Sequence, residues 1–429
     1  MKILLITNKL PYPKVDGRKN ILMQYIKHLK KIYPESTIVN LSFVDEERYL
    51  SLKPNSIDRT ITLLPPGIFE KMGNLLFKSL ILRDWPLQVS LFFSRKTARV
   101  IKGIVEKEQP DIVIYDTIRV AEYKRYIQNA KKNILNYDDL LSLRYKRQLV
   151  FLEYSPSILG FLLSKMPRFI SKIIDHPINK RMILKYEMGL LQKYEIKVNR
   201  DFESLVFTSK IEAQEFKNKV SHSSCIGIPM NSEIVSRPVS RCYDPDKIVF
   251  VGRMDVPHNI AAVLYFCKEI WSEVKKKHSN AKFYIVGKNP SKQVKALQSE
   301  YKDIIVTGEV DDVEHITRDS AVFVAPLLFG SGIKTKIIEA MMQGVPVVST
   351  TVGAEGISIN NDVMYVTDER IEFANRINVL LQDTHLNRKR AMIGYDFVVN
   401  NFSEDINNKL WQSILLEQNE NTSYKEATR

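Results

Sequence analysis

The chain has 429 residues, of which 63 are Lys or Arg and 49 Asp or Glu, giving a formal net charge of +14. At 44% hydrophobic and 26% charged residues it can bury real cores, and its length fits two domains better than a disordered tail. Three cysteines (Cys225, Cys242, Cys267) give no disulfide framework and no C-x-x-C zinc pair, which points to a reducing compartment. The apolar runs fall short of the roughly 18–20 residues of a membrane span. Residues 1–7 are too short for a signal-peptide core and read as a strand. The surplus charge leaves an anionic partner open: nucleic acid, a phosphorylated substrate or an anionic membrane. It is uneven: residues 1–200 carry 36 basic and 19 acidic side chains, and 201–429 carry 27 and 30.

In chain order, 1–7 is a short apolar run of the kind buried on both faces, closed by a turn with Pro11 and Pro13. A helix opens at Asp16-Gly17-Arg18, with Ile21, Leu22, Tyr25, Ile26 and Leu29 at steps of three and four. Strands follow at 36–43, 110–115 and 132–136, with a helix at 101–108. Residues 145–200 read as a long helical stretch broken at Pro156, Pro167 and Pro177, and 204–209 resumes the strand pattern. The polar stretch 231–245 reads as a linker. Beyond it, strands at 247–252, 282–287, 304–308, 321–326 and 346–350 alternate with helices at 261–277 and 336–343, and a last helix spans about 404–417. The alternation predicts an α/β chain: an amino-terminal domain over 1–235 and a carboxy-terminal one over 245–400, each a doubly wound parallel sheet. The helix at 403–418 is expected to cross back toward the first.

Ligands of such sheets bind beyond the carboxyl ends of the strands. The sharpest such place is the segment after the strand at 321–326. There Gly330-Ser331-Gly332 lets backbone N–H groups approach a ligand, and Ile333, Lys334 and Lys336 open a helix whose positive end suits phosphate. Glu339, within that helix, can accept hydrogen bonds from a ribose diol. An ordinary strand–helix turn would read the same way on physics alone. Other strand-end candidates are Arg253, Asp116 and the pair Asp138-Asp139. For each of these aspartates, a capping or turn role is as good a reading as a functional one.

The stretch Gly330-Ser-Gly-Ile-Lys-Thr-Lys-Ile-Ile-Glu-Ala-Met, followed by Gly344-Val-Pro-Val-Val, resembles the carboxy-terminal signature of retaining glycosyltransferases of the GT-B fold, family GT4, in their bacterial envelope-glycan subset. The resemblance implies two Rossmann-like domains with an interdomain cleft. Glu339 matches the acid that holds the nucleotide ribose, and serine stands at 331 where the family has its first acid. Val249-Phe-Val-Gly-Arg-Met-Asp-Val-Pro-His resembles the family's diphosphate-binding segment: Arg253 matches its arginine, and His258 replaces its lysine. Asn8-Lys-Leu-Pro-Tyr-Pro with Asp16-Gly17-Arg18 resembles the first loop, where Gly17 admits the donor phosphate or acceptor. Asp116 falls where many members place a histidine near the transferred sugar, and Glu309 where members contact the nucleotide.

What this implies is transfer of a sugar from a nucleotide diphosphate-sugar to a glycan or a polyprenyl-diphosphate-linked glycan, in capsule, exopolysaccharide or envelope assembly. Arg253, Lys334 and Asp116 are the expected catalytic residues. The expected donor contacts are Gly17, Arg253, His258, Gly330, Ser331, Gly332, Ile333, Lys334, Lys336, Glu339 and Glu309. Arg18, Asp138 and Asp139 fall to the acceptor. Neither a metal nor a cofactor beyond the co-substrate is expected: no His-Glu-x-x-His pattern occurs, and the resemblance implies a transferase that generally requires no bound metal. Residues 68–83 and 158–174 mix large apolar side chains with Lys and Arg, as segments lying in an anionic membrane interface do, although burial against the domain would explain them too. The expected location is cytoplasmic, peripheral on the inner face of the membrane. The alternatives are a non-catalytic glycan-binding or partner subunit and a nucleotide-sugar epimerase; nucleic-acid binding lacks a motif.

Overall fold

A computed structural model describes residues 1–15, 17–128, 130–155, 176–222, 224–231, 237–238 and 241–416. Asp16, the second basic apolar segment at 158–174 and residues 232–236 and 239–240 of the expected linker lie outside the described residues. The chain divides into two compact units. One holds Met1–Leu140, Gly189–Asn231 and the chain from Glu404 on; the other holds Leu141–Met188 and Ser232–Ser403.

The amino-terminal unit is built on seven parallel strands: β1 (Lys2–Thr7), β2 (Thr37–Phe43), β3 (Arg59–Leu63), β4 (Ile112–Asp116), β5 (Lys132–Asp138), β6 (Ser204–Phe207) and β7 (Cys225–Gly227). Their spatial order is β3-β2-β1-β4-β5-β6-β7. Central strands such as β4 are buried at every position, so their apolar runs are continuous rather than alternating. The order reverses between β1 and β4, which pair directly from Ile3↔Ile112 to Ile6↔Tyr115. That reversal opens a crevice at the carboxyl ends of the two strands. The helix α1 (Gly17–Ile32) follows β1 and buries Ile21, Leu22, Tyr25, Ile26 and Leu29, the positions of the helical spacing. The helix Glu404–Leu416 packs on it through Trp411, fully buried edge-on to Tyr25 at 4.9 Å. His28 lies between Asn408 and Asn231 at 2.5 and 3.0 Å, and Asn407 Nδ2 donates to the Pro229 carbonyl at 2.7 Å.

The carboxy-terminal unit has six parallel strands: β8 (Asp244–Val251), β9 (Lys282–Val286), β10 (Ile304–Gly308), β11 (Ser320–Ala325), β12 (Val347–Ser349) and β13 (Tyr365–Val366), in the order β10-β9-β8-β11-β12-β13. Here the order reverses between β8 and β11, which pair at Val322↔Ile248 and Phe323↔Val249. Phe266, Trp271 and Phe283 fill one side of the sheet, and Ile337, Met341 and Tyr395 the other. Three helices matter for the site: α2 (Leu141–Val150), α3 (Pro257–Tyr265) and α4 (Thr335–Met342).

Two sequence expectations change. Residues 141–188, grouped from sequence with the amino-terminal domain, cluster with the carboxy-terminal unit. They carry nine basic and three acidic side chains. The units then hold 33 basic against 25 acidic residues and 30 against 24, so the surplus is shared and does not mark the amino-terminal unit alone. Second, Asp116 caps no helix: it is the last residue of β4, 1% exposed, and its carboxylate is bound by Arg18.

Candidate functional site

In the carboxy-terminal unit the reversal of strand order brings together the loops after β8 and β11. After β11, residues 326–334 form a buried loop. Gly330 has φ 153° and Gly332 φ 65°, values that side chains other than glycine rarely take. Lys334, only 7% exposed, folds back over this loop and donates from Nζ to the Ser331 carbonyl at 3.0 Å and the Gly332 carbonyl at 2.6 Å. Two residues on, Lys336 points across to the other loop. Its Nζ donates to Asn259 Oδ1 at 2.6 Å and lies 4.3 Å from the centre of the Phe250 ring. Asn259 in turn donates from Nδ2 to the Arg253 carbonyl at 2.9 Å. One side chain thus joins the two loops. Gly252 leaves room for this link: a Cβ there would stand 2.7 Å from Lys336 Nζ and 2.8 Å from Asn259 Nδ2.

Burial and the neighbouring Lys334 push the Lys336 ammonium down to about 7, against a smaller pull from Glu339. Burial pushes the Glu339 carboxyl up, with Lys336 opposing. His258, near the start of α3, is held well below its ordinary value by burial and by Arg144, Lys336 and Lys334, so its imidazole stays neutral. Burial is the largest cause of all three shifts; neighbouring cations push Lys336 and His258 further the same way, and an anion bound beside those two would favour their charged forms. Arg253 holds Asp255 in a two-pronged pair, Nε to Oδ1 at 3.1 Å and a terminal nitrogen to Oδ2 at 2.7 Å. A phosphate would take this fork by displacing the carboxylate.

Two cations here were missed by sequence reasoning. Arg144 of α2 donates from Nε to Ser331 Oγ at 3.1 Å. Arg147, one turn on, donates to the Gly330 carbonyl at 2.9 Å and grips Glu355 with two bonds of 2.6 and 2.8 Å. The available signal was Arg144-Tyr-Lys-Arg147, two arginines three apart on one helical face within a basic stretch of the chain. Of the other expected donor contacts, Ile333 is 8% exposed and belongs to the apolar cluster under the loop. Glu309, beyond β10, is mostly exposed and paired with Lys288.

The amino-terminal unit gathers its own group at the β1–β4 reversal. Arg18, in the first turn of α1 after Gly17, pairs with Asp116 and, at 2.8 Å, with Asp138 Oδ1. Asn136 Nδ2 donates to Asp116 Oδ1 at 3.2 Å. Asp138 ends β5 with φ 69°, its carbonyl accepting from Thr208 N and Oγ1, both at 2.9 Å. Arg18, Asp116 and Asp138 therefore form one cluster, with Asp139 next along the chain and 5% exposed. Among the described residues, no three His, Cys, Asp or Glu side chains are grouped to hold a metal ion.

Residues 245–383 match the family model described as Glycosyl transferases group 1. An uncharacterized 44.6 kDa protein in the cps region of Klebsiella pneumoniae is 27% identical over 259 residues, 57% of this chain. The match spans 63% of that relative's length. S. aureus TarM, solved as a mutant in complex with Fondaparinux, alpha-GlcNAc-glycerol and UDP, aligns at a TM-score of 0.65 and 12% identity, covering 96% of this chain and 99% of that one. Anabaena Alr3699/HepE in complex with UDP aligns at 0.59 and 14% identity, covering 97% and 100%. These likenesses show the fold. The chain has the GT-B fold, with two Rossmann-like parallel-sheet domains, and its carboxy-terminal unit carries the glycosyl transferases group 1 segment.

Proposed function

We propose that this chain, a GT-B fold bearing a glycosyl transferases group 1 segment, transfers a sugar with retention of configuration from a nucleotide diphosphate-sugar to a glycan or a polyprenyl-diphosphate-linked glycan. The setting is capsule, exopolysaccharide or envelope biosynthesis, at the inner face of the cytoplasmic membrane. The observation that carries the reading is the cation cluster at the β8–β11 reversal, where Lys336 is tied through Asn259 to Arg253 and Lys334 folds over the Gly330–Gly332 loop. The Klebsiella relative in a cps region supports the capsule setting. UDP in the TarM and HepE complexes supports uridine diphosphate as the leaving group.

The chemistry asked of such a site is electrostatic. The bond from the anomeric carbon to the β-phosphate oxygen breaks, the acceptor oxygen bonds to that carbon, and the acceptor proton passes to an oxygen of the departing diphosphate. Charge accumulates on the diphosphate, so donors aimed there lower the barrier. Arg253 supplies a fork, Lys336 a point charge, and the loop around Gly332 its backbone N–H groups. Neutral His258 can donate or accept a hydrogen bond. Glu339 receives the ribose diol. The Arg18–Asp116–Asp138 cluster orients an acceptor hydroxyl.

A melting-temperature panel with UDP-, GDP-, ADP- and TDP-sugars tests the reading. One nucleotide series raises the melting temperature, since binding at 100 times Kd stabilises the folded state by about 2.7 kcal/mol. A flat panel at millimolar ligand contradicts it.

A further inference from the structure

We infer that the helical run 68–81 of the amino-terminal unit is an interfacial anchor that lies on an anionic lipid bilayer. The inference deepens the membrane location proposed above but stands on this surface alone. The run comprises Ile68–Gly73 and Asn74–Ile81. It is inside out for a helix on a protein surface. Its polar residues face the protein: Asn74 Nδ2 donates to the Ser90 and Phe93 carbonyls at 3.2 and 2.9 Å, and Ser79 is fully buried with its hydroxyl 2.8 Å from that of Ser90. Its large apolar residues face out. Phe69 is 87% exposed, and Ile68, Met72, Phe77 and Ile81 are each more than half exposed. Of the 22 large apolar side chains exposed among the described residues, nine fall within residues 64–82. Scattered single apolar residues on a surface need no explanation, but a contiguous patch of this kind marks an interaction site.

Charge chooses the occupant. Residues 64–100 carry six basic side chains (Lys71, Lys78, Arg83, Arg95, Lys96, Arg99) and two acidic ones. Both acids are engaged: Glu70 accepts from the Arg95 backbone N–H at 2.7 Å, and Asp84 pairs with Lys197. Lys78 lies over the Trp85 ring at 5.2 Å. An apolar face bordered by cations matches the boundary between acyl chains and anionic headgroups. Among the described residues no helix is long and apolar enough to cross a membrane, so this one lies in the interface plane.

The test is co-sedimentation of the full chain with vesicles of phosphatidylcholine alone and with 30% phosphatidylglycerol, for the wild type, Phe69→Glu/Phe77→Glu and Lys71→Glu/Lys78→Glu. The wild type partitions onto the anionic vesicles. Each double variant loses at least tenfold in partition, since one lysine near such a surface contributes about 1 kcal/mol, roughly fivefold. Far-ultraviolet circular dichroism and nucleotide-dependent melting shifts stay as in the wild type, which separates failure of the anchor from failure of the donor site. Three outcomes overturn the inference: no vesicle association, association unchanged in both variants, or a wild-type dimer in solution that Phe69→Glu/Phe77→Glu turns into a monomer.

Discussion

Replacing Arg253 by alanine lowers sugar-transfer turnover by on the order of 10²–10³ and leaves the fold intact. The guanidinium is 41% exposed and pairs with Asp255, two residues away, so the substitution falls on a partly exposed loop rather than in the core. What is lost is a fork placed at the strand-order reversal, where the proposed reaction develops charge on the departing diphosphate. Lys336→Met should reach a similar loss by another route. Methionine fills the space beside Phe250 but removes the charge and the bond to Asn259 that ties the loops after β8 and β11. Steady-state kinetics with the donor series that raises the melting temperature measure both. Wild-type turnover in either variant sinks the assignment of that residue to the diphosphate clamp.

Gly287→Ala destabilises the chain by about 3 kcal/mol or more, because strain and overpacking add at one position. Gly287 follows β9 with φ 148°, and a Cβ there would lie 1.9 Å from the Gly252 carbonyl oxygen. The neighbourhood cannot yield cheaply, since the close atom is backbone. Gly287 N–H donates to the Gly308 carbonyl at 3.1 Å, and Gly252 N–H to the Val286 carbonyl at 2.9 Å. The ends of β8, β9 and β10 are thereby stitched together, and Arg253 follows Gly252 directly. Urea denaturation of the two proteins measures the difference. A change within about 0.5 kcal/mol, as at an ordinary surface position, would show that the close approach does not constrain the loop.

The strands most legible in the sequence were those buried on both faces, such as β4 and β11, because a continuous apolar run is what such a position demands. β3, β7 and β13 went unread: Arg59-Thr-Ile-Thr-Leu63 mixes polar residues at a sheet edge, and β7 and β13 are three and two residues long. They are defined by the neighbour they pair with, which no local pattern encodes. The site divides in the same way. Arg253, Lys334, Lys336 and Glu339 stand in two compact segments with recognisable spacing. Arg144 and Arg147 reach the same loop from a helix nearly two hundred residues earlier, and only tertiary structure brings them to Ser331 and Gly330. Asp116 and Arg18 were each singled out, but their pairing, and that of Arg18 with Asp138, was not. The charge surplus misled in one respect. Divided at residue 200 it pointed to the amino-terminal half, but part of it is the cationic lining of the carboxy-terminal unit.

The central claim is that the cations joined at the β8–β11 reversal receive a diphosphate, and calorimetric titration of UDP between pH 6 and 9 tests it most directly. Lys336 sits near 7 without ligand because burial and Lys334 favour its neutral form. A bound diphosphate favours the charged form. Binding above pH 7 therefore takes up a proton, and affinity falls as pH rises past about 7, by at most tenfold per unit. The expected result is that decline, a proton uptake visible as a buffer-dependent heat at pH 8, and the loss of both in Lys336→Met. Affinity that is level across this range, with the same heat in every buffer, would contradict it.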